Sequence, residues 1–289
     1  MHILVTGAAG RLGSKLVQLL TAQGHSVTGV DIVGENVIHA DIGDYNAIRS
    51  LVDDKRPDFV LHPAGWTDVD GCAREPEKAI ATNGFGTQNV ALAAASLNLP
   101  VLYVSTNEVF DGKRSDPYRE YDPTGPVNPY GYSKWVGEQA IQHINPRHFI
   151  VRTSWLFAHG GKNFIQAILG AVTAGKPLRV VTDEVANPTY NDDLADAITK
   201  LIQTERYGVY HLVNEGSVSR WTFARYILDR TGQSEVPIEK ISIKEWQRAS
   251  VPPTYAGLVN LAGAHAGIRL RPWQEAVDAF LDKEGLLKA

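Results

Sequence analysis

Short apolar runs alternate with longer stretches whose apolar positions recur every three to four residues, from the N-terminus to about residue 150. His2–Thr6 is a mostly apolar run of strand length, broken at once by glycine. Arg11–Gln23 sets Leu12, Leu16, Leu19 and Leu20 on one face of a helix, and Gly24-His25 closes it. The pattern then predicts a strand over Ser26–Asp31, a helix over Tyr45–Asp54 and a strand over Phe59–His62. A long alanine-rich helix over Glu77–Leu97, a strand over Val101–Ser105, a helix over Tyr132–His143 and a strand over His148–Arg152 follow. Strand and helix in strict alternation predict a doubly wound α/β fold. Its parallel sheet is covered on both faces, and its ligand crevice lies beyond the carboxyl ends of the strands.

The second half is less regular. Helices are predicted over Asn163–Ala174, Asp192–Gln203 and Trp221–Thr231, and strands over Leu178–Val181 and Tyr210–Leu212. The segment 235–263 mixes Pro, Ser and Thr with apolar residues and carries no clear period, and Arg271-Pro272-Trp273 leads into a final amphipathic helix. Residues 1–155 are therefore expected to form the doubly wound core that carries the crevice. Residues 156–289 are expected to form mainly a substrate-binding lobe, with some segments returning to the core. Composition narrows the partners: a net charge of −4 with no basic block argues against nucleic acid. No apolar run approaches the roughly 20 residues of a bilayer span, so no membrane partner and a soluble, cytoplasmic protein are expected. Cys72 is the only cysteine, which excludes an intrachain disulfide and a thiolate metal site and suits a small packed residue.

Gly7-Ala8-Ala9-Gly10-Arg11-Leu12-Gly13 joins the first strand to the first helix. Gly7 permits the tight turn, Gly10 lets the backbone approach a pyrophosphate, and Gly13 allows close helix packing. The helix start at Arg11, Leu12 and Gly13 offers free N–H groups and a favourable dipole. Asp31 ends the next strand, where a carboxylate hydrogen-bonds an adenosine ribose hydroxyl and repels a 2′-phosphate. This is the Rossmann-type pattern, and it favours NAD(H); Arg11, inside the loop, leaves NADP(H) open. Asp41-Ile42 stands where a third strand would end, and Asp44 is the better cap for the helix at Tyr45.

Tyr130 and Lys134 lie four apart on one helix face, where an ammonium lowers a phenol towards the working range of an acid–base group. An ordinary exposed pair has the same spacing. Ser105-Thr106 stands at a strand's carboxyl end, where a hydroxyl can bond a carbonyl oxygen. Together with the glycine loop these residues resemble the extended short-chain dehydrogenase/reductase family. The resemblance implies that Thr106 polarises the substrate oxygen, Tyr130 protonates it, and Lys134 tunes the tyrosine and holds the nicotinamide ribose. It also implies adenine contacts at Asp41 and Ile42.

Further blocks are similar to the dTDP-4-dehydrorhamnose reductases: Arg56-Pro57-Asp58-Phe59-Val60, Thr67-Asp68-Val69-Asp70, Ser105–Gly112, Arg152–Phe157, Asn163-Phe164 and Asn187-Pro188-Thr189-Tyr190. The implied reaction is hydride transfer from NAD(P)H to the C4 ketone of a nucleotide-linked 6-deoxy-4-keto-hexose. Ala64, Gly65 and Thr67 would line the dinucleotide site or its border with substrate. Trp155 would pack on the sugar, with Val69 and Asn163 beside it; a core aromatic at a strand end is the other reading of Trp155.

The chain also departs from that pattern. Asn107-Glu108 replaces the usual Asp-Tyr after Thr106, which places both residues at the substrate. Nucleotide-sugar 4,6-dehydratases carry an acid at position 107, and a carboxamide does not titrate usefully. Arg248–Pro253 breaks the family's Arg-Pro register, with Arg248 left as a pyrophosphate ligand. Pro63 stands in place of an Asn. Lys15 occupies the region where some relatives hold a dimer-bridging metal by glutamate, so no metal is expected, while a homodimer is. Two other readings stay open at this point: a non-catalytic, dinucleotide-binding regulatory subunit, and a related epimerase or 4,6-dehydratase.

Overall fold

The computed structural model describes residues 1–161 and 163–288. In chain order the strands are β1 His2–Thr6, β2 Ser26–Asp31, β3 Ile38–His39, β4 Phe59–His62, β5 Val101–Thr106, β6 His148–Thr153 and β7 Leu156–Phe157. They continue with β8 Leu178–Val181, β9 Val185–Ala186, β10 Thr189–Tyr190, β11 Gly208–His211, β12 Val218–Ser219 and β13 Ile238–Ile241. The helices are α1 Arg11–Ala22, α2 Tyr45–Lys55, α3 Val69–Arg74, α4 Pro76–Ala79, α5 Gly86–Ser96 and α6 Pro129–Ile144. After them come α7 Phe164–Thr173, α8 Asn191–Leu201, α9 Arg220–Arg230, α10 Ala262–His265 and α11 Trp273–Lys283.

Seven strands form one sheet in the order β11-β6-β5-β4-β1-β2-β3, and every pairing in it is parallel. Strands buried on both faces must be apolar throughout, and β4 and β5 are buried at every position. Alternate side chains feed two cores. Ile3, Val5, Leu61 and Leu102 meet Leu16 and Leu20 of α1 and Leu194 and Ile198 of α8 on one face. Leu4, Val60, Val101 and Tyr103 meet α2, α5 and Ile141 of α6 on the other. The strand order reverses direction between β1 and β4, and this switch point sets the crevice at the carboxyl ends of β1, β4 and β5.

The second half of the chain supplies β11 and α8 to this layer structure, and Lys15 of α1 pairs with Asp192 of α8 at 2.9 Å. The rest of that half packs an aromatic core of Phe157, Tyr190, Phe223, Trp273 and Phe280, flanked by two-stranded pairs β7–β10, β9–β12 and β8–β13. Within 235–263 the chain forms β13 and the start of α10. No helix among the described residues is long and apolar enough to cross a membrane.

Two predicted helices differ from those observed. Glu77–Leu97 is interrupted: α4 passes into a π-helical turn over Ile80–Phe85 before α5 begins. The α6 helix starts three residues before the predicted Tyr132, because Asn128 caps it through a 2.8 Å bond from Gly131 N–H, with Pro129 in the first turn.

Candidate active site

The glycine loop is closed by contact as much as by torsion. Gly7 is left-handed (φ +61°), and a Cβ on it would lie 2.8 Å from Ala64 Cα, so the turn after β1 is pressed onto the turn after β4. A Cβ on Gly13 would lie 1.9 Å from the Gly7 carbonyl oxygen, which only glycine permits. Gly10 is the N-cap of α1 and has no side chain to occupy the first-turn N–H groups of Arg11 and Leu12. Arg11 is exposed, with its guanidinium against Gly161 of the second half. Asp31 braces the loop: Oδ2 accepts from Ala9 N–H at 2.9 Å and Oδ1 from Ile32 N–H at 2.7 Å. Asp41 folds onto its own turn, accepting from Gly43 N–H at 2.8 Å. Ile42 is buried against Gly86, and Asp44 caps α2.

At the end of β5, Thr106 caps a short turn over Asn107–Val109, accepting from Glu108 N–H at 3.2 Å. The Tyr130 phenol of α6 lies beside the Thr106 hydroxyl at the strand end. Gly131 makes this approach possible, since a Cβ there would lie 2.0 Å from the Glu108 carbonyl oxygen. Lys134, one turn on, is buried with its ammonium 4.2 Å from the centre of the Tyr103 ring. Gly65 borders that ammonium: a Cβ on it would be 3.3 Å from Lys134 Nζ and 2.9 Å from Asn83 Oδ1.

The expected influence of Lys134 on Tyr130 is not the controlling one. Burial pushes the phenol well above its usual range; Glu108 adds to that, while the neighbouring Thr106 hydroxyl opposes it. Burial also lowers Lys134 from its usual 10.5 to about 7, against the pull of Glu138 and Cys72. Tyr130 is therefore a proton-carrying phenol at neutral pH, while Tyr132, two residues before Lys134, is exposed. Cys72 is fully buried, and burial followed by Asp68 and Glu108 pushes its thiol up to about 11.

Beyond the tyrosine the cleft narrows between Asn107 and Glu108 on one side and Trp155, Glu184 and Pro252 on the other. Asn107 donates to Ala256 O at 3.1 Å and accepts from the Thr106 hydroxyl at 3.3 Å. Trp155 is left-handed (φ +40°), which a bulky residue adopts only when its surroundings hold it there. Its ring is covered by the Arg220 guanidinium at 3.5 Å and lies parallel to Phe223.

Two residues expected at the substrate are engaged elsewhere. Asn163 spends its amide on capping α7, through Gln166 N–H at 3.0 Å, and on Ala158 O at 2.8 Å. Arg248 donates to Asp70 at 3.0 Å, and Asp70 also accepts from Ser250 N–H at 2.9 Å, which fastens this strap to the first turn of α3, just after Thr67. Thr67 is exposed and Val69 half-buried at the start of that helix.

Sequence reasoning missed Asn83, Arg220 and Glu184. Buried Asn83 sits in the π-helical turn, accepts from Trp66 N–H at 2.7 Å and donates to Ser133 Oγ at 2.9 Å, which ties the β4 loop to α6. Arg220 binds Glu184 Oε1 through two nitrogens, each at 3.1 Å. No local motif marks these three residues; the backbone brings them together.

A parallel sheet with a glycine loop at its switch point and a Thr–Tyr–Lys set at the end of β5 defines an extended short-chain dehydrogenase/reductase fold. The family model described as RmlD substrate binding domain matches residues 1–285, and the chain belongs to that family. It is 37% identical over 281 residues to the spore coat polysaccharide biosynthesis protein SpsK of Bacillus subtilis, covering 97% of each chain. A dTDP-4-dehydrorhamnose reductase of Streptomyces griseus is 36% identical, over 95% of this chain and 91% of the relative. Among solved structures, the dTDP-4-dehydrorhamnose reductase of Bacillus anthracis in complex with NADP superposes with a TM-score of 0.92. That structure is 32% identical, covering 98% of this chain and 99% of its own.

Proposed function

We propose that this chain reduces the C4 ketone of a nucleotide-linked 6-deoxy-4-keto-hexose with a nicotinamide dinucleotide, converting dTDP-4-dehydrorhamnose to dTDP-L-rhamnose. The observation that carries this is the Tyr130 phenol beside the Thr106 hydroxyl at the end of β5, one helical turn from a buried Lys134 whose ammonium borders Gly65, in a member of this family. The names of its relatives and the NADP held by the Bacillus anthracis structure support the same reading.

The residues fit the dinucleotide. The N–H groups at Arg11 and Leu12 receive the pyrophosphate, Asp31 the adenosine ribose, and Asp41 and Ile42 the adenine. Ala64, Gly65, Tyr130 and Lys134 adjoin the nicotinamide riboside. When bound, the cofactor supplies the hydride. Asp31 and a following loop of Ile32–Val37 that contains no Lys or Arg favour NADH over NADPH.

Tyr130, kept protonated by burial, gives its proton to the C4 oxygen. Thr106, whose hydroxyl proton rests on Asn107 Oδ1 at 3.3 Å, turns that proton to the C4 oxygen, and Lys134 returns a proton towards the phenol. Thr67, Val69 and Trp155 shape the sugar site. A homodimer belongs to the same reading, supported by the exposed Phe85, Leu92 and Tyr132 along α5, α6 and the turn before α5. So does a cytoplasmic location, where both charged substrates are held. The intact Thr106–Tyr130–Lys134 set argues against a purely regulatory subunit. An amide at 107, already bonded to Ala256 and Thr106, argues against elimination.

The test is NADH oxidation with dTDP-4-keto-6-deoxyglucose and a 3,5-epimerase. Wild type turns over, and Tyr130→Phe loses at least about 100-fold in kcat while still binding NADH. Tight NADH binding with no consumption by the wild type would overturn the reading.

A further inference from the structure

Glu108 is the charged group nearest the reacting centre that the mechanism leaves without a task. It is part-buried at the mouth of the turn after β5, and its charge acts directly on the Tyr130 phenol. Asn128 Nδ2 donates to one carboxylate oxygen, Oε2, at 2.6 Å. The other, Oε1, has no hydrogen-bond partner among the described residues and is not sealed from the cleft. Asn128 is itself fixed, because its Oδ1 caps α6 at 2.8 Å, so the carboxylate is held by the same residue that positions Tyr130. Burial holds the Glu108 carboxyl above its usual range and Glu184 adds to that, while the Asn128 bond, Arg248 and Arg220 favour its charged form. The facing wall presents the Trp155 indole, in its left-handed conformation under the Arg220 guanidinium, beside Glu184 and Pro252.

We propose that Glu108 is the specificity-determining residue of the sugar site, its Oε1 accepting a hydrogen bond from the hydroxyl on C3 of the hexose. This rests on the reductase reading, which places the C4 oxygen at the Tyr130 phenol. A group adjoining that phenol then meets the substituent of a carbon next to C4. In a 6-deoxyhexose one such carbon, C3, carries a hydroxyl and the other, C5, carries a methyl. A carboxylate set against the methyl would be desolvated without a partner, whereas the hydroxyl supplies the donor that Oε1 lacks. The methyl side then turns to the Trp155 indole, so Glu108 and that ring together fix which way round the sugar lies.

Wild type, Glu108→Gln and Glu108→Ala are compared on the parent sugar nucleotide and on its 3-deoxy counterpart. Wild type is expected to prefer the parent by about 10- to 100-fold in kcat/KM, the effect of losing one hydrogen bond to a charged group. Glu108→Ala brings the ratio within a few-fold by losing on the parent alone, and Glu108→Gln falls between. NADH affinity and Tm, measured alongside, establish that the variants are folded. Calorimetric binding of the reduced products to wild type gives the same comparison without any variant: the 3-deoxy product binds about 10-fold or more weakly. A wild-type ratio near one, equal binding of the two products, or an unchanged ratio in Glu108→Ala overturns the assignment and leaves the reductase reading standing. Failure of the wild type to reduce either sugar overturns both.

Discussion

Lys134 carries an unusual burden for a lysine, being buried beneath a sheet with an aromatic ring for a neighbour. Its value in the folded chain is lowered from 10.5 to about 7, so the unfolded chain binds a proton between these values that the folded chain does not. Stability from this group is therefore fully present above about 10.5 and lost as pH falls through about 7. Replacing it by methionine removes the penalty: Lys134→Met should melt several degrees above wild type at pH 6, with the gap closing towards pH 10, while turnover is lost. Scanning calorimetry across that range decides it, and a constant gap would refute the account. Residue by residue, Gly7, Gly13, Thr106, Tyr130 and Lys134 were readable because each sits in a motif whose spacing has a mechanical meaning. Gly65 and Gly131 were not readable as close-packing positions, since what each must admit is an atom distant in sequence.

Among the elements, β5, β6 and α6 are joined beneath the site by a buried ion pair. Arg152 donates to both Glu138 oxygens at 2.9 and 2.7 Å, and Ser105 donates to the same carboxylate at 2.5 Å. A pair this deep is held in place by the cost of breaking it more than by its net attraction. Arg152→Leu alone leaves Glu138 uncompensated and should lose about 3–5 kcal/mol in urea denaturation, whereas Arg152→Leu with Glu138→Leu should recover most of that. Equal losses in the two would show the pair to be a minor contributor. The element boundaries explain where periodicity falls short. The apolar spacing of 77–97 continues through the π-helical turn, so nothing in it announces the interruption that presents Asn83 to the β4 loop. The Asn128-Pro129 start of α6 was readable in principle as a cap with a first-turn proline, but the aromatic and glycine content of 130–132 obscured it.

Across the whole molecule, the alternation of strand and helix was enough to predict the parallel sheet and the position of its crevice. In the second half β7, β9, β10 and β12 went unread because they are two residues long, below the length at which a period shows. The far wall of the cleft accordingly came from tertiary packing: Arg220 opens a helix, Glu184 precedes a two-residue strand, and the strap at 248–250 is tied down by Asp70. Asp70→Ala releases both strap bonds. It should raise KM for the sugar nucleotide several-fold with NADH affinity unchanged and stability lowered by about 1 kcal/mol or less, because the ion pair is part-exposed. An unaltered KM would show the strap to be indifferent to substrate.

The burial of Cys72 has a practical consequence for following this molecule in motion. A thiol held near 11 and closed to solvent is silent towards maleimides and disulfide reagents at neutral pH, so a colorimetric thiol titration should count none in the folded protein and one in denaturant. A reactive thiol in the folded protein would contradict that burial. With the native background silent, cysteines introduced at the strap and on the opposite lip could carry a donor and an acceptor dye, and the opening of the cleft could be watched in single molecules.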